Sequence, residues 1–272
     1  MKLHYKEYGK GHPIIILHGL LGLSDNWVSL GKQLSKLFHV IIPDLRNHGQ
    51  SMHSNEHNLR VMADDIVELI NDLQLKTPVL MGHSMGGKVA MHFAMRFPGM
   101  VKALVIVDIA PDSYLDEETL HTFQKVLNTI LECNLSEYSS RKEIEHYLEQ
   151  KESSNVLRHL LSKNIKRDKD NKFAWKVNAQ VLKQQLNQIN ISIKESLDDE
   201  HPEPCFIPTL FVKGENSDFI NSQNSGRINQ LFPHSNIETI PDAGHLIHVD
   251  QPRAFYEVLV PFLEQVIIAN KG

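Results

Sequence analysis

The sequence has few of the features that mark secreted or membrane proteins. Its two cysteines, Cys133 and Cys205, are too far apart in sequence to form a metal-binding or redox motif. No apolar run approaches the roughly 20 residues that span a bilayer, and the N-terminus lacks the apolar core of a signal peptide. We therefore expect a reduced, cytoplasmic protein without stable membrane insertion.

An excess of positive charge is also absent. Lys and Arg together number 28, whereas Asp and Glu number 33, which leaves a formal net charge of -5. Without a basic patch, nucleic acid is not an expected partner. The 16 histidines show no paired helical spacing of the kind that binds zinc, so we predict no metal site and no cofactor.

The sequence does contain an alternation of short apolar runs and amphipathic helical patterns. β-Branched runs of this kind suit strands that are buried on both faces of a parallel sheet. Residues 1–8 alternate like an edge strand, and the buried runs lie at 14–17, 38–42, 78–81, 103–107, 209–213 and 236–240. This order predicts an α/β fold with a mostly parallel central sheet flanked by helices.

Residues 112–203 interrupt this alternation. Strand patterns disappear, polar and helix-prone residues dominate, and apolar residues recur at helical spacing in four stretches. A segment of about 90 residues is too long to be a loop. We therefore predict a helical cap at 112–203, inserted into a core formed by residues 1–111 and 204–272. We interpret the charged run at 166–170 as a solvated turn.

The motif Gly-His-Ser-Met-Gly-Gly at 82–87 lies between a predicted strand and a predicted helix. A serine with a glycine two residues away on each side is typical of a nucleophile elbow, in which a strained turn exposes the hydroxyl above the sheet. The start of the helix directs backbone N–H groups toward the same point. Ser84 is therefore the candidate nucleophile, and a glycine-rich turn without a catalytic role is the alternative.

A second glycine-rich turn, at 18–22, directly follows the first buried strand. Its backbone N–H groups can point into a site at the carboxyl edge of the sheet. Together with the elbow, this turn is expected to form an oxyanion hole whose donors are the backbone N–H groups of Leu20 and Met85.

The loop after the second buried strand carries three ionisable side chains, Asp44, Arg46 and His48. Because the carboxyl ends of parallel strands share one edge, this loop should border the same site as Ser84. These side chains could take part in catalysis, but we interpret them as a structural network that braces the site.

A serine hydroxyl needs a base that accepts its proton. His245 follows the last predicted strand after Ala-Gly and is the candidate base, with His248 as second choice and His83 as a structural residue. The base needs a carboxylate that holds its tautomer. Asp108 ends a buried strand and Asp218 lies in the loop after the next core strand. Both positions are suitable, and we favour Asp108.

Taken together, these motifs resemble the α/β-hydrolase superfamily over residues 14–111 and 207–268. The residues at 44–49 and 107–111 resemble those of the YbfF-type bacterial esterases. The resemblance implies hydrolysis of small to medium acyl esters, or of acyl-CoA thioesters, through an acyl-enzyme on Ser84. In that type the acid follows the sixth strand, which would be Asp108. The acid position usual in the superfamily corresponds to Ser217 here, one residue before Asp218.

Two other functions are compatible with the same motifs. A cofactor-free lyase or a C–C bond hydrolase would keep Ser84 and His245. A protein that binds a ligand under the cap without catalysis belongs to a different class. Dehalogenase chemistry would need an aspartate at position 84. The expected function is thus that of a serine carboxylesterase, with a small-molecule acyl ester as its partner.

Overall fold

The computed structural model describes residues 1–113, 117–199 and 202–268. Strand formation follows the short apolar runs of the sequence. The strands of the described residues are β1 (Tyr5–Tyr8), β2 (Pro13–Leu17), β3 (His39–Pro43), β4 (Val79–His83), β5 (Ala103–Val107), β6 (Ile165–Arg167), β7 (Phe173–Trp175), β8 (Thr209–Gly214) and β9 (Ser235–Ile240).

Seven of the described strands form one sheet in the order β1-β3-β2-β4-β5-β8-β9. All neighbours in this sheet are parallel except the edge strand β1, which pairs with β3 in the antiparallel sense. The sheet is therefore mostly parallel, and β1 lies at its edge as its alternating sequence predicts. The predicted fold class is confirmed.

Helices connect the strands and cover the sheet. Short 3-10 turns add to them at Ser24–Trp27, Pro98–Met100 and Leu135–Glu137. The α-helices of the described residues are α1 (Val28–Leu34), α2 (Leu59–Asp72), α3 (Met85–Arg96), α4 (Glu117–Glu132), α5 (Arg141–Lys151), α6 (Asn155–Lys163), α7 (Ala179–Gln184), α8 (Leu186–Asn190), α9 (Ile193–Ser196), α10 (Ser222–Leu231), α11 (Ile247–Asp250) and α12 (Pro252–Ile268).

Two hydrophobic cores lie on opposite faces of the sheet. In β2, Ile15 and Leu17 belong to the core under α2, α3 and α10, whereas Ile14 and Ile16 belong to the core under α1 and α12. All four side chains are fully buried. A strand between two helical layers must be apolar on both faces, which explains why β2 is a continuous apolar run rather than an alternating one.

The chain between β5 and β8, which we call the insertion (residues 112–203), forms α4 to α9 within its described part. The helical patterns of the sequence match α4, α5 and α6. The prediction that strands are absent was wrong, because β6 and β7 pair as an antiparallel hairpin. Strands of three residues are too short to show alternation. The division into core and cap at residues 112 and 203 stays a prediction.

The charged run at 166–170 is exposed, as predicted, but only its second half belongs to a turn. Lys166 and Arg167 lie in strand β6, and the turn begins only at Asp168, whose N–H and C=O bond to Lys172 and Asn171. The Arg167 guanidinium lies 4.0 Å from the centre of the Phe173 ring. This cation–π contact joins the two strands and makes part of the charged run structural.

Smaller differences concern helix ends. The spacing of Trp27, Leu30, Leu34 and Leu37 predicts one helix over 26–37, but the chain forms the 3-10 turn Ser24–Trp27 followed by α1, and Leu37, beyond α1, is 48% exposed. The sequence also predicts a C-terminal helix over about 252–269, of which Ala269 lies outside the described residues. Within the described ranges, no helix has both the length and the apolar character needed to cross a membrane.

Candidate active site

The turn from β4 to α3 holds Ser84 in a strained conformation. Its φ of +52° is uncommon for a residue other than glycine. A Cβ at Gly82 would lie 2.2 Å from the Gly86 carbonyl oxygen, and a Cβ at Gly86 would lie 2.4 Å from the Leu17 carbonyl oxygen. Both positions therefore require glycine, and their close packing forces the sharp turn that carries Ser84.

The glycine-rich turn after β2 packs directly against this elbow. A Cβ at Gly19 would lie 3.3 Å from the Ser84 Cβ. The hydrogen bond that closes the turn runs from the N–H of residue 22 to the C=O of Gly19, and among the described residues the Leu20 N–H donates to no backbone group. Met85 is the first residue of α3, so its N–H has no acceptor within the helix. Both candidate oxyanion donors thus border Ser84, and their role stays a prediction.

His245 and Asp108 are joined at the carboxyl edge of the sheet. The distance from His245 Nδ1 to Asp108 Oδ2 is 2.8 Å. Asp108 follows β5 with a φ of +51° and is fully buried. Its Oδ1 accepts the Gly214 N–H at 3.0 Å, and the Ser217 hydroxyl donates to Oδ2. A buried carboxylate is costly without partners, and these donors satisfy it.

The two candidate acids have different surroundings. Asp218 is exposed, and its side chain makes no hydrogen bond to His245. Ser217, at the acid position usual in the superfamily, is buried and contacts the same Asp108 oxygen as His245 does. Sequence reasoning did not find this contact, because Ser217 and Asp108 are 109 residues apart and lie on different loops.

Several aromatic rings surround the His245 imidazole, whose side chain is 27% exposed. The Phe219 ring centre lies 4.1 Å from that of His245. On the other side, His83 donates from Nε2 to the His245 carbonyl oxygen at 2.8 Å. Because His83 directly precedes Ser84, this bond holds the candidate base next to the candidate nucleophile. The Ser84 hydroxyl itself has no hydrogen-bond partner among the described residues, and such bonds often form only with substrate bound.

His83 and His248 are structural residues in this arrangement. The His248 ring stacks on Trp27 with a centroid distance of 3.9 Å. Burial lowers the pKa of His248 to about 3, with repulsion from His245 as a smaller cause. Burial likewise holds the pKa of His83 well below its ordinary value, again with a smaller effect of His245. Both rings are therefore neutral at pH 7, and neither places a positive charge beside His245.

The loop after β3 forms the predicted bracing network. Asp44 accepts two backbone N–H bonds. Arg46 pairs with the buried Asp65 through two bonds of 2.6 and 2.8 Å. His48 accepts the Leu21 N–H on Nε2 at 3.1 Å, and burial keeps the pKa of His48 well below its ordinary value, so this ring is a neutral acceptor. The network fixes the loop beside the turn that contains Leu20.

Two asparagines of the insertion contact the loops around the site. Asn164 donates from Nδ2 to the Leu21 carbonyl oxygen at 2.8 Å. Asn178 donates its N–H to the Asn47 carbonyl oxygen at 2.9 Å and its Nδ2 to the Asn47 side-chain oxygen at 3.1 Å. The insertion is thus joined to both loops that border Ser84. These contacts were missed because nothing in the local sequence of an asparagine indicates a partner more than 100 residues away.

Metal-binding and thiol chemistry have no evident place in the described residues. In those parts of the chain, no three or more His, Cys, Asp or Glu side chains come together in a way that could hold a metal ion. Cys133 and Cys205 are buried and form no disulfide, and burial raises the pKa of both thiols. Both cysteines are accordingly expected to be poorly reactive.

Known proteins resemble this chain over nearly its whole length. A family model described as the alpha/beta hydrolase fold matches residues 12–252. The sn-1-specific diacylglycerol lipase ABHD11 of Xenopus tropicalis is 33% identical over 264 residues, which cover 96% of this chain and 80% of that protein. Esterase YbfF of Escherichia coli (strain K12) is 27% identical over 252 residues, which cover 92% of each chain.

A solved structure is also similar. A marine microorganism esterase aligns with a TM-score of 0.91 at 36% sequence identity, covering 96% of this chain and 99% of that chain. The resemblance to esterases of the YbfF type is confirmed by these relatives. Since the family model matches far more than half of the sequence, this chain belongs to the α/β-hydrolase fold family.

Proposed function

We propose that this protein is a serine carboxylesterase that hydrolyses small to medium acyl esters through an acyl-enzyme on Ser84. The observation that carries the proposal is the hydrogen bond between His245 Nδ1 and Asp108 Oδ2, at the same edge of the sheet as the elbow. A histidine that donates from Nδ1 to a carboxylate keeps its Nε2 free to accept a proton. This is the tautomer that a general base needs.

In the first step, the Ser84 hydroxyl oxygen attacks the ester carbonyl carbon while His245 Nε2 takes the hydroxyl proton. The carbonyl oxygen becomes negatively charged, and the N–H groups of Leu20 and Met85 donate to it. Asp108 stabilises the positively charged imidazolium. When the tetrahedral intermediate collapses, the bond to the alcohol breaks and His245 returns its proton to the leaving oxygen.

In the second step, water hydrolyses the acyl-enzyme. His245 removes a proton from the water molecule as its oxygen attacks the acyl carbon, and the same two amides stabilise the oxyanion. The bond to the Ser84 oxygen then breaks, and His245 returns the proton to that oxygen. The products are a carboxylic acid and an alcohol, and the chain's own groups supply every proton transfer.

The relatives support the hydrolysis of an ester but do not identify the substrate. The proteins reported above are named as a lipase and as esterases, and each aligns over at least 92% of this chain. We further propose that the insertion acts as a cap that bounds the acyl pocket. Its contacts to Leu21 and Asn47 place it beside the loops that border Ser84.

The experiment is a hydrolysis assay with p-nitrophenyl esters of increasing acyl length, acyl-CoA thioesters and a diacylglycerol. Wild-type protein should hydrolyse the acetate or butyrate ester, and Ser84→Ala should lose at least about 10³-fold in kcat. Ser222→Ala, at an exposed serine of α10, is the matched control and should keep wild-type rates. Hydrolysis that persists in Ser84→Ala would exclude Ser84 as the nucleophile. A wild-type protein without hydrolytic activity would favour the ligand-binding alternative.

A further inference from the structure

Lys88 is a charged residue that the proposed mechanism does not use, yet its side chain is fully buried. It lies on α3 one turn after the candidate nucleophile, and its backbone N–H donates to the Ser84 carbonyl oxygen at 3.1 Å. Lysine is rarely buried completely unless its ammonium group has polar partners. The partners of Lys88 therefore indicate what the residue does.

Among the described residues, the Lys88 amino group donates to three backbone carbonyl oxygens. Two of them belong to Pro111, at 3.1 Å, and to Asp112, and the third belongs to Ile191, at 3.1 Å. Pro111 and Asp112 lie where the chain leaves the core after β5. Ile191 lies between α8 and α9, toward the end of the insertion. One side chain thus connects the start of the insertion and the segment between α8 and α9 to α3, the helix that follows Ser84.

The two segments that Lys88 contacts also contact each other at this point. The Ile193 N–H donates to the Pro111 carbonyl oxygen at 2.8 Å, so this oxygen accepts from both Ile193 and Lys88. An apolar side chain in place of Lys88 would leave these carbonyl groups with fewer partners in a buried region.

Burial makes this position unfavourable for a charge. It lowers the pKa of Lys88 to about 7, although the carboxylates of Asp112 and Glu195 act in the opposite direction. The Asp112 carboxylate is itself paired with Arg227 at 3.5 Å. Burial by itself disfavours the charged form of Lys88. The hydrogen bonds to the carbonyl groups therefore explain why a lysine is present at this buried position.

A second residue on the same face of α3 contacts the same stretch of the insertion. His92 follows Lys88 by four positions and so lies next to it on the helix surface. The Ser196 hydroxyl donates to the Ile193 carbonyl oxygen at 2.7 Å, so its oxygen accepts the His92 Nδ1–H at 2.8 Å. Burial lowers the pKa of His92 to about 4, which keeps this ring neutral. The stretch 191–196 is thus held at two points.

We propose that Lys88 is a positioning residue that clamps the start of the insertion and its stretch 191–196 to the nucleophile helix and thereby sets the pocket for the acyl chain. This inference rests on the proposed function, because it assigns the insertion a role in binding the acyl group of an ester. A long acyl chain needs the insertion in place, whereas an acetyl group needs mainly Ser84 and its neighbours. Loss of the clamp should therefore raise KM for long-chain esters more than it lowers kcat for acetate.

The test compares Lys88→Met, which keeps the length of the side chain but removes its donors, with Lys183→Met at an exposed lysine of α7. In Lys88→Met, KM for p-nitrophenyl octanoate should rise at least about tenfold while kcat for the acetate ester stays within about threefold. Hydrogen exchange of the backbone amides at 186–196 should become faster in this variant. Lys183→Met should change none of these quantities.

Unchanged KM and unchanged exchange at 186–196 in a folded Lys88→Met protein would overturn the proposal, as would equal losses of kcat for the acetate and octanoate esters. If Lys88→Met does not fold, hydrogen exchange of the backbone amides in the wild-type protein tests the proposal instead. The clamp predicts that the amides at 186–196 are protected about as well as those of α3, and exchange more than about tenfold faster would contradict it. The exchange measurements do not depend on turnover, so they test the clamp even if no ester is hydrolysed.

Discussion

His245 Nδ1 lies 2.8 Å from Asp108 Oδ2, although 137 positions separate the two residues in the sequence. Asp108 directly follows strand β5 and the loop that carries His245 follows strand β9, so both residues lie at the carboxyl edge of the sheet. Asp218, the other candidate acid, is exposed and lies outside this contact. Because Asp108 contacts His245 and Asp218 does not, substitutions at these two positions should affect catalysis differently.

Asp108→Asn should lower kcat for p-nitrophenyl butyrate by on the order of 10³ to 10⁴, because an amide does not hold the catalytic tautomer of His245 or stabilise its positive charge. Asp218→Asn, one residue beyond Ser217, is the matched control and should stay within about threefold of wild type. Steady-state kinetics of both variants, with folding checked by circular dichroism, provide the comparison. A large loss confined to Asp218→Asn would move the acid to the loop after β8.

Ser217→Ala should lower kcat by about tenfold without a matching rise in KM. The Ser217 hydroxyl donates to the same Asp108 oxygen that contacts His245, and a hydrogen bond to a charged group contributes about 1.5–3 kcal/mol. Without this donor the carboxylate is less well held, but it remains bonded to Gly214 and His245. The measurement is a kcat and KM pair for one ester, and wild-type kcat in Ser217→Ala would show that this contact does not assist catalysis.

Gly86→Ala should destabilise the protein by about 2–3 kcal/mol or prevent its folding, because the new Cβ would lie 2.4 Å from the Leu17 carbonyl oxygen. Gly226→Ala is the matched control, since a Cβ at this exposed helical position meets no atom within 4 Å. Replacing glycine inside a helix should stabilise α10 by about 0.5–1 kcal/mol. Urea unfolding of both variants tests the pair, and equal midpoints would show that the elbow tolerates a side chain at position 86.

The stability of the protein should decrease as the pH falls from 6.5, in part because of His57. Burial, with a smaller effect of Arg46, lowers the pKa of His57 from 6.5 to about 3 in the folded state. The unfolded chain therefore binds a proton below pH 6.5 that the folded chain does not, and each pH unit in this window removes about 1.4 kcal/mol from the free energy of unfolding.

Between pH 6.5 and 4.5, His57 alone should thus contribute about 2–3 kcal/mol to the loss of stability. His57→Phe removes the titrating group, so its free energy of unfolding should decrease less over this range than that of the wild type. Urea unfolding at both pH values measures the difference between the two slopes. Parallel pH dependences would mean that another group accounts for the loss.

The sequence was sufficient to predict the sheet and the location of Ser84, Asp108 and His245 at its carboxyl edge, whereas their catalytic roles stay predictions. Buried parallel strands are continuous apolar runs, and the residue after each run lies at the edge where sites form. The elbow was identifiable because close backbone contacts require both of its glycines, Gly82 against Gly86 and Gly86 against Leu17 of the neighbouring strand β2. Apolar runs and the spacing of glycines are both visible in the sequence, so these features could be predicted from it.

Other features depend on contacts between distant segments. Ser217 contacts Asp108 only because two loops converge. Lys88 lies within a helical pattern, and nothing in the neighbouring sequence indicates its carbonyl partners. The hairpin of β6 and β7 was missed because strands of three residues have no detectable period. Asn164 and Asn178 join the insertion to the core through one and two hydrogen bonds, respectively, for which the sequence offers no signal.

The most direct test of the account is to identify the residue that a fluorophosphonate probe modifies. The probe reacts covalently with a serine whose hydroxyl is activated by a base. Wild-type protein should gain the mass of one adduct, and tandem mass spectrometry of its peptides should place the adduct on Ser84. Ser84→Ala should remain unmodified under the same conditions. An adduct on a different residue, or modification of Ser84→Ala to the wild-type extent, would contradict the assignment of Ser84 as the nucleophile.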